Sequence, residues 1–526
     1  MSAQRRDHHS FRGSIMISYI LRRLITAVLI LLGASFLVYL MTAVSGDPLW
    51  DLYGNPNAQQ LIPARVEALN LDTPPVLRYF TWLGGALGCL VPFADTCSLG
   101  VSREGQEVTS LLSFAMGQTI MLVTIGTILA IVVGITLGIV SALRQYSGLD
   151  YGITFLTFLC FSLPSFWLAV LLKEVAAIQF NDFLQNPSLS IGALLAISVV
   201  AGLIWFLVSF GRMRTRILMG VLGFVVTFGI IYFVLATNWL AHPFLGIPLI
   251  ALTGILVAVT ATVLMAGLRN KRALYAGLAT VVVGLVLYFP VQALFVGGGL
   301  LTLLALVVVM ILVGVGAGYV AGGYDRGQGA RVGGVTGFFV ALLIILDRFM
   351  QSWPDYVNSG HIRGRPIATA NSSTPGLSGD FWITGLDRFT HLLLPTICIT
   401  LLALASYSRY SRASMLEIMG QDYVRTARAK GLSERTVVMR HAFRNALIPL
   451  ATLVAYDIGG LIGGAIITES VFAFTGMGQL FIQSVRNVDP NPVMGVFLIT
   501  GIVAMVFNLI ADLVYSVLDP RVRVKA

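Results

Sequence analysis

The stretch "RTARAKGLSERTVVMRHAFRNALIP" at 425–449 gathers Arg428, Lys430, Arg435, Arg440, His441 and Arg444 around a single glycine, Gly431, between two long apolar runs. Cations at this density recognise anionic groups or a complementary protein surface. They break no bonds unless a nucleophile, paired carboxylates or a metal stand with them. The chain offers no such company. It has no G-x-x-x-x-G-K-[ST] phosphate loop, no H-E-x-x-H and no paired Cys/His spacing. The glycine-rich "GGYDRGQGARVGG" at 322–334 follows no strand and reads as a flexible turn. The apolar runs hold no convergent set of polar groups, so the chain is not expected to be an enzyme.

Other residues invite narrower readings. Ionisable groups at membrane depth are functional candidates by default, because burying them there is costly. Asp457 lies inside an apolar run and Glu469 at its end. A proton relay needs such groups facing one another at mid-depth, and Asp457 alone comes close. Lys173 and Glu174 sit near the end of an earlier run, where a mutual pair or a snorkelling lysine accounts for them. Gly459, Gly460, Gly463 and Gly464 form two overlapping G-x-x-x-G pairs, a spacing that lets another backbone approach one helix face. Packing within the chain and a face at a partner interface or translocation path both fit that pattern. Cys89 and Cys97 share one loop and are candidates for a disulfide; Cys160 and Cys398 lie inside apolar runs as packing residues.

The elements that hold these residues follow from composition. Of 526 residues 57% are hydrophobic and 11% charged, with mean hydropathy +0.86. Soluble domains carry about 25% charged residues, so an all-α polytopic membrane protein is expected. Runs near 20–44, 111–143, 152–179, 189–209, 217–237 and 246–268 each approach or exceed the ~20 residues that cross the hydrocarbon. Six more follow near 273–296, 299–321, 332–347, 389–411, 447–468 and 493–516. The run at 20–44 is longer than a signal-peptide core and is read as an uncleaved first span. Lys and Arg collect in alternate loops, which places both termini in the cytoplasm. The net charge of +10 is spread through those loops, so it sets topology and does not imply nucleic acid.

This gives a tail at 1–19, a first span at 20–44, an extracytoplasmic segment at 45–110 and spans 2–3 within 111–179. A further bundle at 180–347 precedes an extracytoplasmic loop at 348–388; spans and a cytoplasmic loop (414–446) fill 389–516, and 517–526 form a tail. Within that loop Asp422 is suited to cap a helix over 423–430, which Gly431 ends in a left-handed conformation. Ser433 then caps a second helix toward Asn445, and Pro449 opens the next span. An amphipathic surface helix for anionic lipid explains the charge. It does not explain the glycine break, the caps or the small residues Ala427, Ala429 and Gly431, which suit a knob that enters a partner's groove.

"SMLEIMGQDYVRTARAKGLSERTVVMRHAFRNALIP" at 414–449 resembles the EAA loop of permease subunits in binding-protein-dependent ABC importers, in the form of the dipeptide and oligopeptide branch. Gly431 matches the loop's glycine and Thr426-Ala427 stands at its Ala pair, whereas Arg425 replaces the usual glutamate. "YILRRLITAVLILLGASFLVYLMTAVSGDP", "RQYSGLDYGITFLTFLCFSLPSFWLAVLL", "TESVFAFTGMGQLFIQSVRNVDPNPVMG" and "NLIADLVYSVLDPRVR" are similar to the same branch. Together the matches cover about 1–178 and 380–526. The resemblance implies a six-span type I (MetI-like) permease core, here with about six inserted helices, an even number that preserves the later orientation.

It further implies a second homologous permease, two ATP-binding subunits, an extracytoplasmic solute-binding protein and a lipid bilayer as partners. ATP and Mg would be held by the ATPases and no cofactor by this chain, in a prokaryotic cell membrane. The ATPase-coupling residues would be Asp422, Arg425, Ala427, Ala429, Lys430, Gly431, Leu432, Ser433 and Arg435. Short peptides are the expected cargo, with nickel chelates, glycosides or other small solutes as alternatives. A stand-alone secondary transporter and a structural subunit of another complex are the competing classes.

Overall fold

The structure is a computed structural model that describes residues 3–89, 97–209, 211–267 and 270–518, with side chains placed for all of these except 3–20, 324, 455–456, 458–464 and 512–518. Its long elements are helices, the one open form whose backbone satisfies itself in hydrocarbon. Among the described residues the extended pairing is a single bridge, Val101 to Glu107.

In chain order, α1 (Ala3–Val44) leads to the short α2 (Ala58–Ala68) and α3 (Pro75–Gly88). Next come α4 (Val108–Leu143), α5 (Gly148–Ser162) and α6 (Ser165–Leu171), the last continuing through a π-helical turn at Leu172–Gln179 into α7 (Phe180–Gln185). Two antiparallel pairs follow, α8 (Ile191–Val208) with α9 (Met213–Ala236), and α10 (Gly246–Met265) with α11 (Lys271–Phe295). Then come α12 (Leu300–Ala321), α13 (Arg326–Gln351), α14 (Trp353–Val357) and α15 (Phe381–Met419). The chain ends through α16 (Asp422–Ala429), α17 (Glu434–Thr436), α18 (Phe443–Gly464), α19 (Ile466–Val471), α20 (Met477–Arg486) and α21 (Pro490–Leu518).

Ten helices among the described residues are long and apolar enough to cross a membrane, or eleven with α5 and the helix after it taken as one span. That bent pair occupies the span expected at 152–179. It bends by 106° at Leu163-Pro164, because proline disfavours a helical residue before it and supplies no N–H. The span expected at 447–468 corresponds to α18, much of whose packing lies outside the described side chains.

The helices form two compact units. The first comprises 1–174, 370–372 and 392–526; the second comprises 175–369 and 373–391, so most of the loop at 348–388 belongs with the inserted helices.

In the first unit, α1, α4, α18 and α20 pack against α21. One end carries the segment between α1 and α4. Tyr79 of α3 is buried there, its hydroxyl 2.8 Å from that of Ser35 and its ring edge-on to Phe36, and Trp82 donates to the Leu99 carbonyl. Cys89 and Cys97, whose Cα atoms are 4.2 Å apart, are disulfide-bonded. Arg103 ties this cap to the chain before α21: its N–H donates to Asp489 (2.6 Å), one guanidinium nitrogen to the Asn487 carbonyl (2.8 Å), and another pairs with Asp51 (2.8 Å).

Burial drives the Asp489 carboxyl up to about 6, in spite of the Arg103 N–H and charge. From its unfolded value of 3.8 up to about 6, the folded chain holds a proton that the unfolded chain has lost. Stability therefore falls as pH rises through that window, by roughly 2–3 kcal/mol in total. Asp489→Asn is expected to melt higher than the parent at pH 7.5 and equally at pH 4, measured by thermal unfolding of the purified protein. A constant difference at the two pH values would refute this.

In the second unit, α10 to α13 share a core built on Val281, Met310, Val340 and Ile344. α12 and α13 touch backbone to backbone, since a Cβ at Gly314 or Gly318 would strike the Gly333 or Gly329 carbonyl, respectively. This bundle holds one buried carboxylate, Asp347, among the described residues of its core helices. Its fully buried carboxylate accepts from the N–H groups of Leu245 (2.6 Å) and Gly246 (3.1 Å), the Tyr288 hydroxyl (2.6 Å) and the Gln351 amide (2.7 Å). It thus caps the start of α10 and locks it to α11 and α13. An apolar cavity of about 390 Å³ in the same unit is lined by residues including Phe180, Trp239, Phe349, Trp353 and Phe389.

Candidate functional site

α15 runs on past its apolar part as a stalk, and two ties fix that stalk within the first unit. Arg412 clamps the buried Asp150 with Nε to one carboxylate oxygen and Nη2 to the other, both at 3.1 Å, and Nε also reaches the Ser141 hydroxyl at 3.0 Å. Asp150 further accepts from the Tyr146 N–H (2.9 Å) and from the Ser141 hydroxyl. Ser147, three residues before it, caps α5. Ser414 donates to the Ala446 carbonyl at 3.0 Å, joining stalk to α18. Met415, Val438, Ala442 and Ala446 fill the space between, with Ala142 of α4.

Beyond the stalk the chain folds into the broken helix pair. Gly431 takes φ +75, and the short helix ends just before it. Such a conformation costs a side-chain-bearing residue roughly 1–2 kcal/mol. Ser433 caps the next turn, accepting from the Thr436 N–H. Val424, Ala427 and Val437 pack under the knob with Ile418 and Met419. Arg428 grips Glu434 across the break, Nε to one oxygen (3.2 Å) and Nη2 to the other (2.8 Å). Exposed on both sides, that pair shapes the turn and contributes well under about 1 kcal/mol. Asn445 donates to the Tyr423 hydroxyl (2.9 Å), holding the knob against the base of α18.

Three details differ from the expectation. Gln421 is the N-cap and Asp422 the first helical residue, exposed and without a capping bond, where its charge still favours the positive helix end. Ala427 is 6% exposed and faces the knob's own core, so the small surface residues are Ala429 and Gly431. The second helix does not stop before Pro449. It passes through a π-helical turn at Val437–Ala442 into α18, with Pro449 inside, so the knob is continuous with a membrane helix. Arg425, Lys430, Leu432, Ser433 and Arg435 are exposed around it, with Arg440 and Arg444 beyond.

The other candidates lie apart from the knob. Asp457 is half-buried in α18 beside the Tyr407 side chain of α15, while the surroundings of Gly459, Gly460, Gly463 and Gly464 lie outside the described residues. Glu469 is completely buried. It accepts from Thr119 (2.7 Å), from the Gly478 N–H (2.7 Å) and from the Gln479 N–H (3.1 Å), which makes it the cap of α20. Lys173 donates to the Val471 carbonyl at 3.3 Å. Among the described residues no three His, Cys, Asp or Glu side chains could hold a metal ion. Sequence reasoning missed the Arg412–Asp150 clamp. The "SGLD" capping pattern at 147–150 and the arginines Arg409 and Arg412 at the end of an apolar run were its available signals.

The knob is an exposed element that follows α15 in the chain and is continuous with α18. A model of the family described as binding-protein-dependent transport system inner membrane component matches residues 134–524. The chain belongs to this family. Among curated relatives of this inner membrane component, the oligopeptide transport system permease protein OppB of Mycobacterium tuberculosis is 40% identical over 187 residues. That stretch is 36% of this chain and 55% of OppB, so the chain spans about half the length of the relative it matches. The dipeptide transport system permease protein DppB of Escherichia coli is 40% identical over 150 residues, 28% of this chain and 43% of DppB. The oligopeptide transport system permease protein AppB of Bacillus subtilis aligns more broadly, at 23% identity over 96% of this chain and 99% of its own.

Proposed function

We propose that this chain is the permease subunit of an ATP-driven peptide importer, with its knob as the element that docks on an ATP-hydrolysing partner. The observation that carries this is the folded, exposed helix–Gly431–helix unit, continuous with α18 and clamped through α15, in a chain of the inner-membrane-component family. Force applied to such a knob reaches two membrane helices without crossing a loose loop. The knob faces the cytoplasm, two ATP-binding subunits hold ATP and Mg, and a second permease completes the translocation path. The path runs beside Asp457 and the glycines of α18, and the capped segment near Asp489 receives a solute-binding protein. Peptides are the favoured cargo because OppB, DppB and AppB are named for peptide transport.

Gly431 tests this reading cleanly, because no atom lies within 4 Å of a Cβ built there. Gly431→Ala therefore adds backbone strain alone, roughly 1–2 kcal/mol, whereas Gly431→Trp adds bulk on the docking surface. In the co-purified complex, reconstituted with its binding protein, Gly431→Trp is expected to lower ATP-driven peptide uptake at least about tenfold, a coupling loss of about 1.4 kcal/mol or more. Gly431→Ala is expected to stay within a few-fold of the parent. Full uptake by the tryptophan variant would end the coupling role, and parental uptake without ATP would favour a secondary transporter.

A further inference from the structure

The second unit sorts its charges by end. The turns α8–α9, α10–α11 and α12–α13, with the helix starts that follow, carry Arg212, Arg214, Arg216, Lys271, Arg272, Arg326 and Arg331 against one carboxylate, Asp325, among the described residues. The turns joining the same helices at their other ends, 237–245 and 296–299, contain no Lys, Arg, Asp or Glu. Two of the basic turns meet. A Cβ at Gly323 would collide with the Arg272 guanidinium, so that side chain lies across the α12–α13 turn, beside the residue where Arg326 opens α13. The Arg326 guanidinium stands 5.0 Å from the centre of the Tyr319 ring. Lys271, Arg272, Arg326 and Arg331 are all exposed.

Directly alongside, the surface turns apolar. Tyr319, whose ring the Arg326 guanidinium approaches, is 56% exposed, and Val320, the next residue of α12, is 86% exposed. An acidic protein or a nucleic acid would use the cations and leave the apolar Val320 facing water. A phospholipid uses both, phosphate to guanidinium and acyl chain to apolar side chain. We propose that this end of the inserted bundle is a binding site for an anionic phospholipid. Arg272 and Arg326 hold the headgroup, with the exposed Lys271 and Arg331 of the same two helices adding charge, and Tyr319 and Val320 line the first part of the chains. The inserted helices then anchor the subunit to anionic lipid, a role separate from coupling through the knob.

The test uses the full-length protein, delipidated and returned to phosphatidylcholine vesicles with or without phosphatidylglycerol, then re-extracted for native mass spectrometry. The parent is expected to retain phosphatidylglycerol in preference to phosphatidylcholine. The variant K271Q/R272Q/R326Q/R331Q is expected to lose that preference, and the single variants R272Q and R326Q to weaken it about fivefold each. The charge-conserving variant K271R/R272K/R326K/R331K is expected to keep it, which separates charge from folding. Equal retention of both lipids by the parent, undiminished preference in the neutralised variants, or loss in the charge-conserving one would overturn the proposal. So would complete displacement of phosphatidylglycerol by inorganic phosphate, since the site would then serve a free anion.

Discussion

Arg412→Ala is expected to destabilise the first unit by about 3–5 kcal/mol, the usual cost of leaving one buried charge without its partner. Asp150 is 2% exposed and takes both guanidinium contacts at 3.1 Å, so truncation leaves its carboxylate with the Tyr146 N–H, the Ser141 hydroxyl and a long contact from the Thr154 hydroxyl (3.5 Å). Removing both charges is a smaller insult. The double variant Asp150→Asn/Arg412→Ala is expected to recover at least about 1.5 kcal/mol relative to the sum of the single changes, because neither charge then remains stranded. Arg412→Lys should restore part of the loss, since an ammonium is a point donor that cannot match both oxygens as a planar fork does. The cycle can be read from unfolding midpoints of the purified protein in a mild detergent. Additive single changes would show that the clamp is a crystal-like pairing of no energetic consequence. Because the clamp joins the α4–α5 turn to the stalk, Arg412→Ala is also expected, under the proposed function, to reduce ATP-driven uptake in preparations matched for folded protein.

The knob was legible because its signals are local. A glycine at the left-handed position that ends a helix, a serine three residues before the N–H it accepts from, and charges spaced along an amphipathic face are all properties of adjacent residues. The clamp was not legible because its halves stand 262 residues apart, and nothing local marks Asp150 as the partner of Arg412. Asp347 was missed for a related reason: at the end of an apolar run an aspartate reads as a residue reaching water, and only the fold brings the start of α10 to it. Ala427 shows the opposite error, in which a small residue was assigned to the surface although the helix phase, with Val424 three residues earlier, turns it inward. Pro449 was read as a boundary. α18 absorbs it six residues from its start, where the preceding π-helical turn already disrupts the regular hydrogen-bond ladder.

Glu469 carries the second large prediction, and it separates a structural reading from a transport reading of the same residue. A fully buried glutamate at the end of a membrane helix invites assignment to the translocation path. Its carboxylate is instead spent on three donors: Thr119 on α4, and the N–H groups of Gly478 and Gln479 in the first turn of α20. The fit is close, since a Cβ at Gly476 or Gly478 would collide with the glutamate or with Ile466. Glu469→Ala strands two buried donors and one part-buried one, each buried donor costing about 1–3 kcal/mol, and is expected to lose on the order of 4 kcal/mol. Glu469→Gln keeps the shape and one acceptor but points an amide NH₂ at a donor, so roughly half that loss is expected. Limited proteolysis should show cleavage appearing first around 477–486, the helix that loses its cap. If the variants instead fold and melt like the parent while peptide uptake alone falls, the capping account fails and Glu469 belongs to the path.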